Sequence, residues 1–194
     1  MEAEYKESGM ESGSGKAVAV ANKRKMRGWD VILRFFALAL SLAAAVVLAV
    51  DKETVVVQVP VAAALPPLSV PVAAKTSYLS AFVFFVIANS IACAHAGVSL
   101  ILALAYQGEN KAIALTVLIA DLMMVALLFS GIGAGVAIGV LGYNGNSHTM
   151  WGKVCDKFDK FCHQAAAAFG ISGAAALLFL LLVVLATLNL HKKH

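Results

Sequence analysis

Four long apolar runs leave few architectures open to this chain: residues 29–50, 78–106, 111–141 and 165–190, separated by polar or proline-rich stretches. An α-helix rising about 1.5 Å per residue needs about 20 residues to cross roughly 30 Å of hydrocarbon, and each run reaches that length. Lipid offers no partner to backbone N–H and C=O groups, so runs of this kind become helices that satisfy themselves. Hydrophobic residues make up 61% of the 194, charged ones only 13%, and the mean hydropathy is +0.85, which excludes a soluble single domain. The expected fold class is an all-α integral membrane protein, a bundle of four transmembrane helices spanning residues 28–191.

Residues 1–27 are rich in Gly, Ser, Glu and Lys and are expected to form a disordered tail, too poor in apolar groups to offset the entropy of ordering. A cleaved signal peptide is the rival reading, but the tail is long and the first apolar run exceeds the usual h-region. Six basic residues (Lys6, Lys16, Lys23, Arg24, Lys25 and Arg27) crowd the tail just before the first span, a topology signal and not a nucleic-acid face. The tail, the turn at 107–111 and the end at 192–194 hold nine Lys and Arg, against five in the two longer loops. Both termini are therefore expected in the cytosol, with the loops 51–77 and 142–164 outside. The first loop contains all four prolines, Pro60, Pro66, Pro67 and Pro71, and reads as a loop in which residues 55–61 could form a short strand. The spans 78–106 and 111–141 are joined only by residues 107–110 and must form an antiparallel helical hairpin.

Two ionisable side chains fall well inside apolar spans, Arg34 in the first and Asp121 in the third. Either one facing lipid costs several kcal/mol, so each should face the bundle and find a partner, and they are natural partners for one another. A structural pair that sets helix register is the bland reading; a proton or ion relay is the sharper one, although a relay ordinarily shows more than one intramembrane acid. His95, with Asn89 before it, reads as a satisfied interior histidine.

Cys155 and Cys162 lie in the second outer loop, and Cys93 lies within the second span as a small apolar residue. In an oxidising exterior the loop pair is expected to form a disulfide. Zinc binding with His148 and His163 is the rival, though Cys-x6-Cys lacks the usual zinc spacing, and two free thiols remain a third reading. Trp151, Phe158 and Phe161 are expected to form an apolar cap at the bilayer interface. Gly131, Gly135 and Gly139 recur every four residues in the third span, a ridge that permits close helix packing either within the bundle or between protomers. Ala88, Ala92 and Ala96, and Ala166, Gly170 and Ala174, repeat that spacing on the second and fourth spans. No strand precedes these glycines and no GxxxxGK[ST] motif follows, which excludes a phosphate loop.

Nothing assembles an active site: the chain has no HExxH, no nucleophile with a base at helical spacing, and no intramembrane acidic pair. No catalytic residues, metal, cofactor, nucleic acid or small-molecule substrate are expected. A small channel or transporter using Arg34 and Asp121 is the alternative function class.

Arg34, Asp121 within LIADLMMVALLFSGIGAGVAIGVLGYNGN, and the loop WGKVCDKFDKFCHQ together resemble the Casparian strip membrane domain protein-like (CASP-like) family of land plants. The resemblance covers about residues 27–191, and its loop motif is specific. It implies a relation to MARVEL-domain proteins and a plasma-membrane scaffold forming homo- and hetero-oligomers in the bilayer. It also implies organised membrane domains that recruit cell-wall-modifying partners. The family's intramembrane arginine and aspartate map onto Arg34 and Asp121, and its loop cysteines onto Cys155 and Cys162. Residues 51–77 differ from the corresponding segment of the strip-forming members. Claudins, tetraspanins and connexins place their cysteines in other patterns.

Overall fold

A computed structural model of the chain describes residues 28–59, 68–105, 111–145, 148 and 152–191. The expected tail, the turn at 107–110, Trp151 and the end at 192–194 lie outside the described residues. Four helices are long and apolar enough to cross a membrane: α1 (Gly28–Ala49), α2 (Ser80–Ala105), α3 (Lys111–Asn144) and α4 (Asp159–His191). The fold class is thus a four-helix membrane bundle, as the sequence implied. Helices α3 and α4 have 34 and 33 residues, or roughly 50 Å at 1.5 Å per residue, and so project beyond the hydrocarbon.

The stretch 51–77, expected as a loop in which residues 55–61 could form a short strand, is more ordered than that reading. It folds as an antiparallel hairpin of β1 (Lys52–Val59) and β2 (Leu68–Lys75), followed by a 3-10 turn at Thr76–Tyr78. Pro71, which has no N–H to donate to a ladder, pairs with Val56 inside β2. In a two-stranded sheet, however, each strand keeps one unpaired edge, so a residue without an N–H can be tolerated there. Along β1, Glu53, Val55 and Val57 are half-buried while Lys52, Thr54, Val56 and Gln58 are exposed, the period of two that seats one face on the bundle.

The polar stretch 142–164 is also shorter as a loop than expected. Helix α3 runs to Asn144 and stops at Gly145, whose φ of 70° is left-handed and whose N–H bonds the Leu141 carbonyl at 2.9 Å. A glycine in this conformation is a common helix terminator because a Cβ is penalised there. The Gly142 carbonyl accepts from the Val154 and Cys155 N–H groups at 2.8 and 3.2 Å. Helix α4 starts at Asp159, ahead of the apolar run. Its polar first turn is held by Asp159 near the positive end of the helix dipole and by Glu53, whose Oε2 accepts the Phe161 N–H at 2.9 Å. A strand 108 residues away in sequence therefore caps this helix.

Two buried clusters fill the bundle. Near the hairpin, Ala44 and Leu48 of α1 meet Phe82 and Phe85 of α2 and Phe158, Phe161 and Phe169. The Phe82 ring stacks on Phe161 and meets Phe169 edge-on, both with centroids 5.8 Å apart. Phe158 and Phe161 therefore belong to the core, contrary to the interfacial cap expected of them; their loop folds back over the bundle end. Farther along, Ala37, Ala92, Ala96, Leu128, Ala175, Ala176, Phe179 and Leu182 pack together. Alanine dominates because helices in lipid gain little from apolar burial as such and are held by close approach and van der Waals contact.

Candidate functional site

Arg34 enters the bundle one turn after Asp30 on α1, and both side chains point the same way because residues four apart share a helix face. Asp121 lies ten residues beyond Lys111 on α3, and His95 ten residues before Ala105 on α2. Since α2 and α3 run antiparallel, those equal offsets bring His95 and Asp121 to one level, about 15 Å from the ends they are counted from.

The structure brings these groups together around one carboxylate. Arg34 Nη1 and Nη2 donate to Asp121 Oδ1 and Oδ2 at 3.3 and 3.0 Å, a two-pronged contact. Arg34 Nε donates to Asp30 Oδ2 at 3.1 Å. His95 Nε2 lies 2.7 Å from Asp121 Oδ1, and since a carboxylate can only accept, that nitrogen carries a hydrogen. Asp121 is 0% exposed and Arg34 4%, so the pair sits in a low dielectric where a lone charge would be costly. A single carboxylate thereby ties α1, α2 and α3. Helix α4 joins through Ser172, whose Oγ donates to Asn89 Oδ1 at 2.9 Å while Asn89 Nδ2 donates to the Phe85 carbonyl at 3.0 Å. These contacts set the depth and rotation of the four helices against one another, which is what buried polar groups do best in lipid.

Sequence reasoning proposed Arg34 and Asp121 as partners but left His95 separate and did not consider Asp30 or the Asn89–Ser172 contact. The matching offsets of His95 and Asp121 from the α2–α3 turn were a usable signal.

The glycine ridge faces inward. A Cβ on Gly131 would meet the Ala88 Cβ at 3.4 Å, and one on Gly135 would meet the Phe169 ring at 2.6 and 2.7 Å; at Gly139 the same ring lies 3.9 Å away. Gly131 and Gly135 are thus buried against other helices of the protomer, and Gly139 is half-buried beside them. Of the two readings of this ridge, packing inside the protomer is the one that the contacts of Gly131 and Gly135 with α2 and Phe169 support.

Cys155 and Cys162 form a disulfide, their Cα atoms 5.8 Å apart. The bond consumes both thiolates that the zinc reading required, and among the described residues no group of three or more His, Cys, Asp or Glu could hold a metal ion. His163 instead lies 3.5 Å from Asp159, on the exposed side of α4. Cys93 is free and half-buried. Intact-mass measurement without reductant is expected to find one disulfide, with only Cys93 open to alkylation. Cys162→Ser should lower stability by about 2–3 kcal/mol, the chain-entropy figure for so short a loop. Alkylation of both loop cysteines in the untreated protein would refute the bridge.

A sequence model of the Casparian strip membrane protein domain matches residues 23–178. The chain belongs to the Casparian strip membrane protein family. Similar proteins include CASP-like protein 1E2 of Vitis vinifera, 53% identical over the whole of both chains. CASP-like protein 1E1 of Glycine max is 49% identical over 84% of this chain and 87% of its own. CASP-like protein 1E1 of Arabidopsis thaliana is 46% identical over 97% and 98%. No solved structure matches. For this Casparian strip family chain, the matched span holds Arg34, His95, Asp121 and both bridged cysteines, so the network described above lies within the family domain.

Proposed function

We propose that this chain is a non-enzymatic plasma-membrane scaffold with cytosolic termini. It assembles in the bilayer with copies of itself and with related chains, and it recruits cell-wall-modifying partners. The observation that carries this reading is on α4. Ala166, Gly170 and Ala174 recur every four residues and all three are exposed, while a Cβ at Gly170 or Gly173 would meet nothing within 4 Å. The small-residue faces of α2 and α3 are engaged inside the protomer, whereas this one is open to a neighbour's backbone, the contact by which helices associate in lipid. The closed pairing of Arg34, Asp121 and His95 also favours a structural over a transport role, since the carboxylate has no accessible oxygen left to bind a passing ion. The excess of Lys and Arg in the tail, the turn and the end supports the orientation, and the family supports a place in the membrane.

Energy transfer between labelled chains, followed as protein is diluted into lipid, tests the assembly. Self-association is expected to persist on dilution and to weaken about tenfold or more in Gly170→Leu, whose side chain blocks close approach, with insertion unchanged. A wild-type chain that is monomeric at every protein-to-lipid ratio would overturn the scaffold. So would solute flux into liposomes that Asp121→Asn abolishes.

A further inference from the structure

Asp51 is the second of the two residues, Val50 and Asp51, that join α1 to β1. It is 3% exposed, and neither of its carboxylate oxygens has a hydrogen-bond partner among the described residues. Its backbone, by contrast, is fully engaged. The Asp51 N–H bonds the Leu48 carbonyl at 3.2 Å, and the Asp51 carbonyl accepts from the Thr76 N–H at 3.5 Å. Thr76 Oγ1 reaches the Leu48 carbonyl at 2.5 Å and the Asp51 carbonyl at 3.4 Å. β1 leaves the bundle at Lys52 and β2 returns opposite it at Lys75, so the buried carboxyl sits at the root of the hairpin.

Two charged side chains act on it: Glu53 on β1, of like sign, and Lys160 on α4, of opposite sign. Lys52 and Lys75, the registered pair at the root, are both exposed. Glu53 is committed to the Phe161 N–H at the start of α4. A carboxylate closed off from water, given no donor and set beside another carboxylate is strongly disfavoured in its charged form. A carboxylic acid in the same place carries no charge and supplies an O–H. Among the described residues, Asp51 and Glu53 belong to no group of three or more metal-ligating side chains.

We propose that Asp51 is a proton-binding site that latches the β1–β2 hairpin to the bundle. One proton adds to the Asp51 carboxylate and no other bond changes. With the proton bound, the root stays buried and Glu53 stays on the first turn of α4. On its loss the carboxylate must reach water, which lifts the root and draws Glu53 from the helix.

The pH window follows from the same burial. Desolvation, with Glu53 adding and Lys160 opposing, pushes the Asp51 carboxyl up from 3.8 to about 6. An acid whose docked value lies above its free value holds the extra proton in the docked state. Docking is therefore favoured at low pH and weakens as pH rises through about 6. Between about pH 5 and about pH 7.5 the docking equilibrium should fall about tenfold.

Hydrogen exchange on the full chain in lipid nanodiscs reads this directly, with rates corrected for the intrinsic pH dependence of amide exchange. Protection in the two strands and the first turn of α4 is expected to drop about tenfold between those pH values, with the middle of α2 as an unchanging reference. Asp51→Asn, neutral and of equal size, should hold protection at its low-pH level throughout; Asp51→Ser serves if that variant fails to insert. Flat protection in the wild type, or the same pH dependence in the neutral variants, would overturn the latch. Restoration of wild-type protection by millimolar Ca²⁺ at the higher pH would overturn it in favour of a cation site.

Discussion

Asp121→Leu is expected to cost the bundle roughly 3–5 kcal/mol, the range seen when one member of a buried ion pair is removed. Stabilities of folded domains are of order 5–15 kcal/mol, so most of the chain should fail to accumulate in its membrane. The reason is local. Arg34 stays charged at any accessible pH, is almost wholly buried, and would keep only Asp30, while His95 would lose its acceptor altogether. Arg34→Leu strands the Asp121 carboxylate with His95 alone and should cost a similar amount. The double change leaves no lone charge between α1 and α3 and should cost less than the two single changes combined, by about 1–3 kcal/mol. Asp30→Asn should cost less than about 1 kcal/mol, because Asp30 is only partly buried and Asp121 remains. Unfolding midpoints in detergent, read alongside delivery to the cell surface, measure all four. Strict additivity of the double change would show that the two side chains do not depend on each other.

The second large effect is at Gly135. Even an alanine Cβ there would lie 2.6 Å from the Phe169 ring, and that ring is itself hemmed in by Phe85, 5.1 Å away centroid to centroid, and by Phe82. Overpacking a fixed aromatic typically costs about 1–3 kcal/mol, and leucine should exceed alanine. Gly133, two residues away on the same helix, is exposed with nothing within 4 Å of its Cβ position, so Gly133→Leu should change stability by no more than about 1 kcal/mol. The contrast between neighbouring glycines of the same helix isolates packing from helix propensity. Any loss of self-association in Gly135→Leu would then follow from a damaged protomer, in contrast to Gly170→Leu on the open face of α4. Equal thermal midpoints for Gly133→Leu and Gly135→Leu would contradict the packing shown by Phe169.

Span number and the antiparallel arrangement of α2 and α3 were legible without any structure, because length and hydropathy alone decide what can cross a bilayer. The need of Arg34 and Asp121 for partners was legible for a related reason: a charge among apolar residues has few places to go. Which way each helix turns was not. In a soluble protein the apolar stripe of a helix marks its inner face, but lipid is as apolar as the core, and a helix such as α3 is hydrophobic all round. Only tertiary packing decided that Gly131 and Gly135 face α2 and Phe169 while Gly170 stays exposed. The second strand of the hairpin and the early start of α4 were hidden for a different reason. Neither the proline-containing strand β2 nor the polar turn from Asp159 is apolar enough to declare itself, and each is held by contacts between distant segments: Glu53 on the Phe161 N–H, Thr76 on the end of α1, and Cys155 bonded to Cys162. Such contacts exist only once the four helices have brought those segments to the same end of the bundle.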